Sequence, residues 1–378
     1  MRNLWGHLLL VCALLAMAAP AYAEVASPPL VRAWPAGAAV VGYRSPQTLH
    51  RALARFPARV VKRLPALHAV QVRPNGAIRE FAAAVAALSG IDYVERLAPR
   101  VPAVEPSLGA APFPGGTYEW QYSATRADRV PTSVLRAASA FTIGVVDTGA
   151  DLSAPDLSAK RPLGYSTLNG GTGVSDVNGH GTFVSSLAAG SVSNGDGIAG
   201  FGGDAQLLVV QAGKADGSFT DVDEAAGIVF AVDHGAKIVN LSVGGPGSSS
   251  IEESAVRYAA NRGVLLVAAA GNAYLAGNPV IYPAALLQPA GSNGLGGIGL
   301  SVGATDSAGR RAAFSSTGSF LSLAAPGKDV FGALSSNASA SSWPRTALAG
   351  SSAGFYGFAS GTSFAAPEVA GAAALVWA

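Results

Sequence analysis

Ile143-Gly-Val-Val-Asp147-Thr-Gly149 is an apolar run that breaks on a carboxylate and a glycine. From Phe141 to Val146 it reads as a buried strand that delivers Asp147 at its carboxyl end, where the acid is held rigidly and partly desolvated. Downstream the rhythm repeats. Ala205 to Ala212 is another apolar strand. Thr220-x-x-Asp223 resembles a capping box, opening a helix that ends at His234 with Gly235 as its stop. Lys237 to Val243 is the next strand. Ser250-x-x-Glu253 caps a second helix, which stops at Gly263 before the strand Val264 to Ala269. Apolar strands alternating with amphipathic helices predict an α/β fold, a parallel sheet with helices on both faces, whose ligands gather at the carboxyl ends of its strands.

Upstream the pattern differs. Val40 and Val41 open a strand, Pro46 to Arg55 reads as helical, Leu67 to Val72 as a strand, Ile78 to Leu88 as an amphipathic helix, and Asp92 to Glu95 as a short strand. Two helices among strands suggest a small α+β, ferredoxin-like unit between Ala39 and Pro102. Val101 to Gly116, rich in Pro, Gly and Ala, reads as a linker. At the start, Arg2, the apolar run Leu8 to Ala18 and Ala21-Tyr-Ala23 form a cleavable secretory leader over residues 1–23. The apolar run is shorter than the ~20 residues that span a bilayer, so no stable membrane anchor is expected; a structural helix is the other reading. Cys12, the only cysteine, lies in that leader, which excludes disulfides and cysteine catalysis from the mature chain. The expected units are therefore 1–23, 24–105 and 106–378.

Charge divides along the same boundary. Residues 24–105 carry eleven basic and five acidic side chains, a balance of +6, and residues 106–378 carry thirteen and eighteen, a balance of −5. Linked pieces of opposite sign suggest mutual docking rather than nucleic-acid binding. Charges scattered for solubility are the bland alternative.

Three segments carry candidate chemistry. Asp147 ends its strand, His180 stands between glycines in Asn178-Gly-His180-Gly-Thr182, and Ser363 opens a helix in Gly361-Thr-Ser363-Phe-Ala-Ala-Pro367-Glu-Val-Ala-Gly371. A serine hydroxyl is a poor nucleophile at neutral pH and needs a base, with a carboxylate to fix the base's tautomer. Of five histidines, His7, His50 and His68 precede the large unit, and His234 ends a helix, which leaves His180. Two decoys fail. Asp147-Thr-Gly lacks the second such tripeptide that an aspartic dyad requires. Gly350-Ser-Ser352-Ala-Gly354 resembles a nucleophile elbow, yet no histidine follows Ser352. Ala268-Ala-Ala-Gly271-Asn272 ends the strand from Val264, where the Asn272 amide, beside the Ser363 backbone N–H, can donate to an oxyanion. A turn asparagine is the other reading of that position.

With these segments quoted, the stretch from Ile143 to Ala378 resembles the subtilisin (subtilase) family of serine peptidases, whose chain order of Asp, His and Ser it shares. Leu241-Ser-Val-Gly-Gly245-Pro246, Tyr282-Pro-Ala284, Ser301-Val-Gly-Ala304, Phe314-Ser-Ser316 and Ala325-Pro-Gly327 extend the likeness. Ala39 to Pro102, and Asp92-Tyr-Val-Glu95 most clearly, is similar to the family's propeptide, which folds and inhibits its own enzyme. The resemblance implies a secreted endopeptidase, made as an autoprocessed zymogen, that acts on protein or peptide substrates through a triad of Asp147, His180 and Ser363 with Asn272 as oxyanion donor. It needs no cofactor for the chemistry. Ala215-Asp-Gly217-Ser218 and Ser242-Val243-Gly244 would pair with an extended substrate backbone, which implies broad specificity. Ser242 to Gly244 and Ala269, Ala270 and Gly271 would line the first pocket, with Ile281 at its base making it shallow. Asp156 matches a structural calcium ligand of the family, its partners expected around Ser193 to Gly197; an ordinary turn aspartate is as good a reading. Thr182-Phe183 and Glu368 stand where the family often has histidines. The chain stops at Ala378 within the helix begun near Thr362, so a catalytic unit truncated at its C-terminus is expected. An inactive fragment or pseudoprotease binding module is the competing function, and a non-proteolytic esterase a further one.

Overall fold

The computed structural model describes residues 37–102, 118–346 apart from 290, 293 and 295, and 356–378. The expected leader, most of the linker and the Gly350–Gly354 decoy lie outside them. Seven strands form a wholly parallel sheet in the order Leu323–Pro326, Gly299–Thr305, Leu265–Ala269, Ile238–Leu241, Thr142–Asp147, Gln206–Gln211 and Leu163–Ser166. Both faces are covered, as the apolar runs require. Ile143 and Val145 pack on the face that carries the helices His180–Ala189 and Thr362–Trp377, whereas Val146 faces Asp221–Asp233 and Ser250–Ala260. Strand alternation thus puts Asp147 on the face of the first pair.

Helix starts follow their capping chemistry. Thr220 Oγ1 accepts from the Asp223 N–H at 3.1 Å, as the spacing predicts. The next cap is one residue off: Ser249, not Ser250, accepts from the Glu252 N–H. Three consecutive serines, Ser248 to Ser250, make that slip invisible to spacing. The strand expected from Lys237 to Val243 breaks after Leu241. Val243–Pro246 leaves the parallel sheet and pairs antiparallel with Ile281–Tyr282 and Pro99–Pro102.

The N-terminal lobe is a four-stranded antiparallel sheet, in the order Ala58–Leu64, Ala69–Pro74, Ala39–Tyr43 and Ile91–Arg96, with helices Pro46–Arg55 and Ile78–Ala86. This is the expected ferredoxin-like order plus one unforeseen strand. Ala58–Leu64 is an edge strand carrying Arg59, Lys62 and Arg63, and such charge hides the strand signal while blocking edge pairing. Leu67 belongs to a turn, and the following strand starts at Ala69. Val101 and Pro102, expected in the linker, are strand instead, because Pro99–Pro102 pairs with edges of the large unit. Local composition carries no trace of those partners.

Charges meet across this contact as their separation implies. Lys62 bridges to Asp223 and donates to the Thr167 carbonyl at 2.8 Å, and Arg100 reaches Glu252 at 2.7 Å. Glu95 runs the other way in sign. Its carboxylate accepts from the Ser250 N–H at 2.9 Å and the Ser250 hydroxyl at 2.6 Å, at the positive end of a helix.

Candidate active site

Asp147 and His180 are fully buried and joined, Nδ1 to Oδ1, at 2.7 Å, while the Thr148 N–H donates to the same oxygen at 2.7 Å. A ring nitrogen facing a carboxylate carries the proton, so Nε2 is left as the basic atom. Nε2 is buried and makes no hydrogen bond among the described residues. The helix that begins at His180 is fixed by Asp176, which sequence reasoning missed. Its carboxylate accepts from the Gly179 and Thr182 N–H groups, each at 2.8 Å, and from the hydroxyls of Thr148 at 2.9 Å and Thr182 at 2.6 Å. One acid therefore ties the Asp147 loop to the His180 helix. Gly181 is required here: a Cβ would lie 2.1 Å from the Gly149 carbonyl oxygen.

Ser363 is the second residue of its helix, and His180 packs on the adjacent Phe364 with ring centroids 5.5 Å apart. The Ser363 hydroxyl donates to the Ser242 carbonyl at 2.7 Å, and the Ser242 hydroxyl donates back to the Ser363 carbonyl at 2.7 Å. Pro367 explains the second bond. Lacking an N–H, it cannot bond the carbonyl four residues earlier, which is that of Ser363. Asn240 completes the link, donating to Ser242 Oγ at 2.8 Å.

Asn272 is held by the same helix end. Its Oδ1 accepts from the Thr362 N–H at 3.0 Å and from Thr362 Oγ1 at 2.9 Å, while Thr362 Oγ1 accepts from the Gly271 N–H at 3.0 Å. An N–H can only donate, so this network fixes which amide atom is oxygen. Nδ2 is then left buried with no hydrogen bond among the described residues. The first-turn N–H groups of the helix also lack intrahelical partners. Amide and helix end together form a site suited to negative charge.

The groove is bounded by two edges. Val243 and Gly244 pair with Pro102 and Val101, whereas Pro99 and Arg100 pair with Thr220 and Phe219. Gly217 and Ser218, expected on the second edge, instead form the turn leading into it, where Gly217 takes φ +79° and Ser218 donates twice to Asp216. The pairing residues are Phe219 and Thr220. Ala270 is buried, and its N–H donates to the Val302 carbonyl at 2.9 Å. Ile281 fills the space between two glycines: a Cβ at Gly244 or at Gly271 would lie 2.6 Å from its side chain.

Asp156 is buried, but its oxygens are taken by donors: the Asn194 amide at 3.1 Å, the Ile198 N–H at 3.2 Å and the Tyr356 hydroxyl at 3.0 Å. Burial pushes its carboxyl up to about 6, against these hydrogen bonds. No group of three His, Cys, Asp or Glu side chains able to hold a metal occurs among the described residues. Glu368 is also buried and accepts no hydrogen bond from any described residue. Burial, and then Glu119, pushes its carboxyl well above the ordinary range.

A seven-stranded parallel sheet flanked by helices, with Asp, His and Ser in this chain order, defines the subtilisin-like class of fold. The family model for subtilases matches residues 138–378, so the chain belongs to the subtilase family; a model for the fervidolysin N-terminal prodomain matches residues 35–96. A thermophilic serine proteinase of Bacillus sp. (strain AK1) is 36% identical over 243 residues, which is 64% of this chain and 53% of that one. Thermitase of Thermoactinomyces vulgaris is 36% identical over 239 residues, 63% of this chain and 75% of thermitase. The crystal structure of fervidolysin from Fervidobacterium pennivorans, a keratinolytic enzyme related to subtilisin, superposes with TM-score 0.74 at 27% identity. That match covers 90% of this chain and 54% of fervidolysin. The chain thus spans about half the length of the Bacillus proteinase and of fervidolysin.

Proposed function

We propose that the chain is the precursor of a secreted serine endopeptidase, exported by its leader, in which Ser363 attacks a peptide carbonyl. His180 Nε2 takes the serine proton, Asp147 holds the imidazole in the required tautomer, and Asn272 Nδ2 with the Ser363 N–H receives the oxyanion. His180 then protonates the leaving amine, and water hydrolyses the acyl-enzyme by the same route. The observation that carries this reading is the buried Asp147–His180 hydrogen bond, with Nε2, beside the Ser363 helix, left without a hydrogen bond among the described residues. No cofactor enters these steps, and subtilisins need none. The test compares a denatured protein substrate with a simple ester. Release of new peptide N-termini is expected; ester cleavage without proteolysis would leave only an esterase, and neither activity would favour the silent binding module.

Pro99–Pro102 runs antiparallel between the two groove edges, as a bound substrate backbone would. The N-terminal lobe accordingly acts as an inhibitor that is cut from the mature domain just beyond that strand. Rim charges chiefly set association rates, and Lys62–Asp223 is partly exposed, at 20% and 13%. The association rate of the released lobe should therefore fall as salt rises, since the Debye length shrinks from ~10 Å at 0.1 M to ~3 Å at 1 M. Stopped-flow inhibition that showed no salt dependence would refute that steering.

Ile281 makes the first pocket shallow, which favours small or medium apolar side chains over Phe and Tyr. Ile281→Gly should shift cleavage toward aromatic residues by about tenfold or more, the worth of a few methylenes in a pocket. Profiling a peptide mixture checks this, and a strong aromatic preference in the unaltered enzyme would contradict it.

A further inference from the structure

Arg100 is fully buried, rare for an arginine. Its Nε lies 2.7 Å from Glu252 and 3.5 Å from Glu224, both fully buried, while Nη1 donates to the Pro99 carbonyl at 2.9 Å and Nη2 to the Gly247 carbonyl at 3.3 Å. Asp221, also buried, adds a third acid, which burial pushes up to about 6 although Arg100 pulls it down. Glu224 accepts no hydrogen bond from any described residue. The site is therefore built around a cation. Gly245 lets the strand approach: a Cβ there would lie 2.6 Å from the Pro99 carbonyl oxygen and 3.2 Å from Arg100 Nη1.

Two features make this more than a contact between lobes. All three acids belong to the large unit, on Asp221–Asp233 and Ser250–Ala260, and remain there once the strand departs. Arg100 sits on the strand that fills the groove, two residues before Pro102, so the two side chains share one face of it. An extended substrate entering by the same pairing presents its own side chain to the same acids.

Resting on the proposed peptidase reading, we propose that Glu252, Glu224 and Asp221 form a specificity subsite that selects arginine in peptide substrates at the position occupied here by Arg100. Specificity is then narrower than the uncharged first pocket implies. Arginine fits better than lysine, because its planar fork sets Nε on Glu252, Nη1 on the Pro99 carbonyl and Nη2 on the Gly247 carbonyl, whereas lysine gathers its three donors on one nitrogen. Leaving these acids buried and unpaired disfavours an uncharged side chain at the same place.

Enzyme matured from the full chain is assayed on a peptide of residues 97–108, with Arg, Lys, Ala or Glu at position 100. The Arg peptide should have a kcat/KM at least tenfold above Ala, with Lys between and Glu lowest. Glu252→Gln and Glu224→Gln should each shrink the Arg-to-Ala ratio without abolishing cleavage of the Ala peptide. Equal cleavage of Arg and Ala peptides, or a preference unmoved by both variants, would overturn the subsite while leaving the peptidase reading intact. A second arm does not depend on turnover. In the full-length Ser363→Ala chain, Arg100→Ala should speed amide exchange at Val101 at least tenfold, with Arg100→Lys between. Unchanged exchange overturns the proposal even if no peptide is cut, an outcome that by itself would count against the peptidase reading.

Discussion

Ser363→Ala is expected to leave the fold intact and to lower peptide hydrolysis by about 10⁶, the size established for removing the serine of subtilisin itself rather than one deduced from this geometry. The Ser363 hydroxyl donates to the Ser242 carbonyl, and the companion contact of that helix turn, from Ser242 Oγ to the Ser363 carbonyl, survives the change. Thermal unfolding should therefore shift by only a few degrees. If maturation is autocatalytic, the variant accumulates as precursor, whereas the unaltered chain yields a mature N-terminus within residues 103–106, just past the strand that ends at Pro102. Gel analysis and N-terminal sequencing check both. Equal processing and activity in the variant would sink the mechanism.

Asn272→Ala should behave differently. Its amide donor faces charge that exists only once the carbonyl has been attacked, so turnover falls while KM moves little. The loss expected is about 10²–10³ in kcat, again a magnitude known from subtilisin. Part of it is indirect, because the Asn272 carbonyl also holds the Thr362 N–H and hydroxyl at the start of the serine helix. Asn272→Asp separates the two. The carboxylate keeps an acceptor for Thr362 but offers no donor, so it should be as slow as the alanine variant while retaining its thermal stability. A rise in KM with kcat unchanged, in either variant, would place Asn272 in ground-state binding instead.

What could be read from sequence divides along the range of the forces involved. The parallel sheet was legible because strands buried on both faces leave continuous apolar runs, and Thr220 was legible because a cap acts within one helical turn. Asp147, His180, Asn272 and Ser363 stood out because each ends a strand or begins a helix. Pro99–Pro102 was misread as partly linker, since a strand made by distant partners has no local signal. Asp176 and the acids around Arg100 were missed for the same reason: their roles exist only where separate helices and loops converge. Asp223 reads from sequence only as the partner of Thr220 in a capping box. The calcium expected at Asp156 came from resemblance alone; here that carboxylate accepts from Asn194, Ile198 and Tyr356.

The central claim is that Ser363 is a nucleophile activated by His180. The most direct measurement is labelling of the folded protein with a serine-reactive phosphonate, followed by intact-mass and peptide-mapping spectrometry. The account predicts a single adduct, on Ser363, that disappears on denaturation and in His180→Ala. An unlabelled mature chain, or an adduct that forms equally well without His180, would contradict it.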